Sequence, residues 1–202
     1  MIKFARPQYY PQDKGPFPES LKTETSMGVI NHDLRRIKAL FFDVDGVLSC
    51  NTIPMNDDGV PMRTVNIKDG YALHMAAVRN VPMAIITGGN TPQVIRRFVS
   101  LGLKEDMIIL RASRKIEHYR LLRDRLGLKD EEILFVGDDI PDLEVLRACG
   151  LPCCPRDAAW EVKQVCRYIS DKDGGMGVAR DIVEQYLKAN GLWLDTADAF
   201  GW

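Results

Sequence analysis

The sequence predicts an α/β fold: a doubly wound parallel sheet with a β-hairpin inserted after its first strand. Short apolar runs alternate with segments of helical period along most of the chain, the rhythm of strand–helix–strand crossovers. The runs are nearly continuous in Val, Ile, Leu and Phe, as strands buried on both faces require. Several of them end in aspartate, threonine or glycine, so polar residues collect at one edge of the sheet.

Residues 1–35 stand apart. Pro7, Pro11, Pro16 and Pro18 interrupt any period, so an extended arm is expected there, with Phe4, Tyr9, Tyr10 and Phe17 available to pin it to a surface. The main domain is expected over 36–190. Residues 37–42 form its first strand and run into Asp43-Val44-Asp45-Gly46. From 47 to 66, Asn51, Pro54, Asp57-Asp58-Gly59 and the alternation of Met62 to Asn66 predict a hairpin turning at Asp58-Gly59. A helix over 69–80 follows, with Asp69 able to cap it. Strand 83–86 leads into Thr87-Gly88-Gly89 and a helix over 92–101, where Pro92 fits the first turn. Strand 107–110, helix 114–126 stopped by Gly127, and strand 133–136 come next. The last of these ends in Gly137-Asp138-Asp139. A helix over 141–148, strand 151–153, a helix over 158–165, strand 168–169 and a helix over 178–189 complete the series, leaving a tail of 191–202.

A chain of 202 residues suffices for one well-buried domain. Its 27 basic and 28 acidic residues leave a net charge of -1, so no global field draws it to nucleic acid or to an anionic membrane. No run approaches the roughly 18 apolar residues of a membrane span. The stretch from Met1 to Pro7 lacks the apolar core of a secretory signal, and a cytoplasmic protein is expected. Cys50, Cys149, Cys153, Cys154 and Cys166 share no metal-ligand spacing and are expected as reduced, mostly buried small hydrophobes. His32, His74 and His118 lie away from the strand ends and are expected to be surface or partly packed.

In such sheets, ligands bind beyond the C-terminal strand ends. Asp43 and Asp45 are two apart on an extended chain, so their side chains point the same way, roughly 6–7 Å apart at the backbone. Two carboxylates held together repel unless a cation or a division of labour keeps both useful. A hard divalent ion such as magnesium answers that need, with Asp138 completing its site from another strand end. One aspartate of the pair can then attack phosphorus while the other moves protons. Taken alone, Asp43 and Asp45 could equally end a strand in Asx turns. The Thr87 hydroxyl and the amides of Gly88 and Gly89 can cradle phosphate oxygens, a role compatible with helix capping. Lys115 offers the fixed cation a phosphoryl-transfer site needs, although a lone helical lysine is ordinarily solvated. Asp139 is expected behind the metal, orienting a water or Lys115. Asp142 is left between a helix-dipole role and the site.

Asp43-Val44-Asp45-Gly46-Val47-Leu48, Ile85-Ile86-Thr87-Gly88, Lys115 and Gly137-Asp138-Asp139 resemble, in order and spacing, the four motifs of the haloacid dehalogenase superfamily of phosphatases. With Asn66 to Tyr71 and Gly174-Gly175-Met176-Gly177-Val178-Ala179-Arg180, the chain is similar to the capless branch that acts on 3-deoxy-D-manno-octulosonate 8-phosphate, a lipopolysaccharide precursor. The resemblance implies a Rossmann-like sheet with no cap domain and a Mg2+-dependent phosphatase. In it Asp43 is the nucleophile and Asp45 the acid/base, with its backbone carbonyl on magnesium. Thr87 and Lys115 hold the phosphoryl group, and Asp43 and Asp138 bind the metal. It further implies a homotetramer in which hairpins form an intersubunit barrel and each glycine-rich segment reaches a neighbour's site. Arg63 and Lys68 would meet the carboxylate of a sugar-acid phosphate. Gly89 stands where many of these enzymes carry arginine and the nine-carbon enzymes carry glutamate, so the particular sugar acid is left open.

A receiver domain of a response regulator uses similar residues, but its phosphorylated aspartate ends the third strand, where this chain has Leu110-Arg111-Ala112. A non-catalytic scaffold would not retain Asp43, Asp45, Lys115 and Asp138 together. A sugar phosphomutase would need a cap to hold its intermediate.

Overall fold

The computed structural model describes residues 26–194. Seven strands form one sheet: β1 (Ser26–Met27), β2 (Ala39–Phe42), β3 (Met83–Ile86), β4 (Ile108–Ile109), β5 (Ile133–Val136), β6 (Leu151–Cys154) and β7 (Tyr168–Ile169). Their order is β1-β7-β6-β5-β2-β3-β4, and every pairing is parallel. The helices are α1 (Ile67–Val78), α2 (Gln93–Ser100), α3 (Lys115–Leu126), α4 (Leu143–Ala148), α5 (Trp160–Val165) and α6 (Val178–Ala189).

Period-2 alternation divides each central strand between two cores. Leu40 and Phe42 of β2 join Leu73, Phe98, Ile182 and Leu187, so α1, α2 and α6 cover one face. Ala39 and Phe41 join Tyr119, Val145 and Val162, so α3, α4 and α5 cover the other. The chain steps from β2 outward through β3 to β4, then returns to place β5 on the opposite side of β2. The strand order therefore reverses between β2 and β5. Crossover loops diverge at such a point and leave a crevice at the C-terminal strand ends. Asp43 follows β2 and Asp138 follows β5, so the two aspartates flank it.

Three local readings need correction. Residues 26–35, assigned from sequence to an extended arm, join the domain: β1 pairs with β7, and Ile30 and Leu34 are buried in the core. The rest of that arm and residues 195–202 lie outside the described residues. The segment between β2 and α1 turns back at Asp58-Gly59 as expected, Asn56 N–H donating to the Val60 carbonyl at 3.0 Å, but its arms are not regular strands. One antiparallel bridge, Met55 to Pro61, closes its turn, with Met62 N–H donating to the Pro54 carbonyl at 2.8 Å. A two-stranded ribbon has too little to pack against to be regular by itself. Finally, α1 begins at Ile67 and is capped by Asn66, whose Oδ1 accepts from Lys68 N–H at 2.9 Å and Asp69 N–H at 3.2 Å. Asp69 instead turns inward and accepts from the Arg180 amide at the start of α6 at 2.6 Å. All five cysteines are free thiols, four of them buried.

Candidate active site

β2 and β5 each carry the chain straight into the crevice. The Asp43 amide extends the ladder by donating to the Val136 carbonyl at 2.9 Å, which fixes the Asp43 side chain at the switch point. Oxygen atoms of Asp43, Asp138 and Asp142 lie within 4.8 Å of one another. Gly46, at φ +82, turns the chain beneath them, and a Cβ there would strike the Asp138 carboxylate.

Lys115, at the first position of α3, projects its buried Nζ between two of these carboxylates. Nζ is 2.7 Å from Asp142 Oδ1, a hydrogen bond, and 2.9 Å from Asp43 Oδ1, an ion pair without hydrogen-bond alignment. Asp142 Oδ2 accepts from the Asp138 amide at 3.1 Å. Burial, reinforced by the charge of Asp142, raises the Asp43 carboxyl to about 7 against the opposing pull of Lys115. Burial and then the charges of Asp43 and Asp142 raise Asp138 to about 8. Burial works to lower the Lys115 pKa, but the charges of Asp43 and Asp142 outweigh it and the net shift is upward.

Once all three carboxylates are ionised, one ammonium leaves them two positive charges short, and their donor atoms are all oxygen. A divalent hard cation fits that deficit. Both Asp142 oxygens already accept hydrogen bonds, whereas Asp43 Oδ1 is buried and faces only the ion-paired Lys115 ammonium, without a hydrogen bond. Asp43 and Asp138 are therefore the residues able to hold magnesium.

The other expected residues are placed as follows. Thr87 is buried after β3; its N–H donates to the Ile109 carbonyl at 3.0 Å. The Gly89 amide, expected to face phosphate, donates to Thr87 Oγ1 at 3.1 Å instead. Gly88 is exposed beside it. Asp45 does not join the three-carboxylate cluster; its carboxylate is gripped by Arg63. Arg63 was expected to face a substrate carboxylate and faces this one. Lys68 is exposed on the first turn of α1, outside the contacting set. Asp139 is exposed as well; of the two roles expected for it, orienting a water or Lys115, the second falls to Asp142, which the short helical turn at Ile140–Asp142 swings back under Lys115. Thr91, which holds Arg63, carried no signal in the sequence. The glycine-rich segment closes on its own chain: Gly175 N–H donates to the Val47 carbonyl at 2.8 Å, and a Cβ on Gly174 would strike the Gly46 carbonyl. A cavity of about 350 Å³ lies under the excursion between β2 and α1. It shares Arg63 and Thr91 with the site, but neither Asp43, Asp138 nor Lys115 lines it.

A family model of haloacid dehalogenase-like hydrolases matches residues 62–150. The chain is 32% identical to the 3-deoxy-D-manno-octulosonate 8-phosphate phosphatase of Salmonella typhi over 155 residues, 77% of this chain and 81% of that one. It matches the crystal structure of 3-deoxy-D-manno-octulosonate 8-phosphate phosphatase from Moraxella catarrhalis, in complex with magnesium, phosphate and KDO, at a TM-score of 0.75 and 32% identity, covering 79% of this chain and 91% of that one. The cobalt-bound deoxy-D-mannose-octulosonate 8-phosphate phosphatase from Haemophilus influenzae matches at a TM-score of 0.76 and 28% identity, covering 84% and 99%.

Proposed function

Because the chain belongs to the 3-deoxy-D-manno-octulosonate 8-phosphate phosphatases among the haloacid dehalogenase-like hydrolases, we propose that it hydrolyses 3-deoxy-D-manno-octulosonate 8-phosphate through an aspartyl-phosphate on Asp43. The observation that carries this reading is the meeting at the switch point of Asp43 and Asp138, carboxylates delivered by neighbouring strands, with the buried Lys115 ammonium 2.9 Å from Asp43.

A carboxylate oxygen of Asp43 attacks phosphorus while the bond to the sugar's terminal oxygen breaks, and that oxygen takes a proton from Asp45. Water then attacks the phosphorus, Asp45 takes its proton, and Asp43 leaves as a carboxylate. Lys115 neutralises Asp43 and the phosphoryl oxygens, with Asp142 fixing its Nζ. Thr87 and Gly88 hold the transferring group. Asp43, Asp138 and the Asp45 carbonyl would hold magnesium, whose positive charge would let Asp43 stay ionised beside a phosphate dianion.

Purified protein with magnesium is expected to release phosphate from 3-deoxy-D-manno-octulosonate 8-phosphate faster than from nonulosonate 9-phosphates, hexose phosphates or aryl phosphates. Hydrolysis of none of them would end the phosphatase reading, and preference for a nine-carbon acid would reassign the substrate.

A cytoplasmic homotetramer is part of this reading. Met55, Met62, Val65 and Ile67 are exposed on and beside the excursion, an apolar surface suited to a neighbouring copy. Among the described residues no helix is long and apolar enough to cross a membrane. Multi-angle light scattering is expected to give about four times the chain mass; a fully active monomer would remove the tetramer from the reading.

A further inference from the structure

Arg63 reaches from the excursion to the one site aspartate that stands apart from the acidic cluster. Its Nε donates to Asp45 Oδ1 at 2.6 Å and its Nη2 to Asp45 Oδ2 at 2.7 Å, a two-point grip in the plane of the carboxylate. Nη1 donates to Thr91 Oγ1 at 2.6 Å, and Thr91 is itself buried. The Arg63 side chain is 12% exposed and that of Asp45 35%, so the guanidinium is the fixed partner and the carboxylate the one that meets the crevice. Gly89 lies directly against the guanidinium: a Cβ there would lie 2.5 Å from Nη2 and 3.2 Å from Cζ, so Arg63 would have to shift from this pose. Neither contact follows from the magnesium site or from the phosphoryl cradle.

Resting on the phosphatase reading above, we propose that Arg63 is a positioning residue for Asp45, aiming its carboxylate at the hydrolytic water, and that Gly89 is the residue that admits it. In the second half-reaction, the bond from water oxygen to phosphorus forms and the bond from Asp43 to phosphorus breaks, its electron pair returning to Asp43. The proton lost by water goes to Asp45. A guanidinium that grips both oxygens fixes the plane and direction of the Asp45 carboxyl group for that transfer. The first half-reaction on an aryl phosphate needs no such help, since a nitrophenolate departs without a proton.

The test uses 4-nitrophenyl phosphate with the full-length magnesium-loaded enzyme. Arg63→Gln is expected to lower kcat by about 100-fold, within the range of proton-transfer catalysis, while kcat/KM, which reports only the first half-reaction, stays within about threefold. A stopped-flow burst of one nitrophenolate per site should appear that wild type lacks. Arg63→Lys, which keeps the charge but cannot span both oxygens, should fall between the two. Gly89→Ala should show the same burst and add nothing in the Arg63→Gln background. This keeps the proposal testable if Arg63→Gln folds poorly. Equal falls in kcat and kcat/KM, unchanged kinetics, or fully additive losses overturn it. Wild type that turns over no phosphate ester fails the phosphatase reading and this proposal with it; active wild type with burst-free variants fails this proposal alone.

Discussion

Asp43→Asn is expected to abolish phosphate release while making the metal-free protein more stable than wild type. Loss of the attacking oxygen leaves nothing on which to build the covalent intermediate, and the fall in kcat should be at least about 10⁴-fold. The gain in stability has a separate origin. Asp43 is buried among Asp138 and Asp142, and its carboxyl is raised to about 7. The folded protein therefore keeps protons on Asp43 and Asp138 that the unfolded chain surrenders near pH 4. Their contribution is complete below about pH 4 and is lost as pH rises through about 7 and 8. In EDTA, the wild-type melting temperature should thus decline from about pH 5 to pH 8, and that of Asp43→Asn should decline less. Added magnesium should raise wild type more than the variant. Circular dichroism melts beside a phosphate-release assay would read both effects, and an Asp43→Asn protein that retains turnover would refute the nucleophile assignment.

Lys115→Met should have the opposite sign in stability and the same sign in activity. Removing a buried ammonium leaves the charges of Asp43 and Asp142 uncompensated, and breaking a buried pair in this way costs about 3–5 kcal/mol. Activity should fall by about 10³-fold through loss of charge opposite the transferring phosphoryl group. The double variant Asp43→Asn/Lys115→Met should regain much of the stability and none of the activity. If the double variant is as unstable as Lys115→Met alone, carboxylate repulsion is not the cause.

Much of this arrangement is legible in the sequence because parallel strands are local features. An apolar run that stops at an aspartate announces both the strand and the edge to which it delivers the carboxylate, and Asp43, Thr87 and Asp138 stand at such ends. Partnerships made by long side chains are not legible in this way. Nothing in the spacing of Arg63, Asp45 and Thr91 records that they meet, because the contact depends on how the excursion folds over the crevice. Asp142 is ambiguous for another reason. An acid in the first turn of a helix has the same sequence context whether it serves the helix dipole or anchors a lysine from α3. The edge strand β1 was hidden because two residues are too few to show a period, and its pairing with β7 is made across almost the whole chain.

Gly174 resting on Gly46 carries a consequence for the order in which the enzyme comes into being. The loop bearing the nucleophile is among the first parts of the domain to leave the ribosome, yet the backbone that buttresses it is among the last. Because the support comes from a residue far along the chain, hydrolytic competence should lag well behind synthesis of the nucleophile loop.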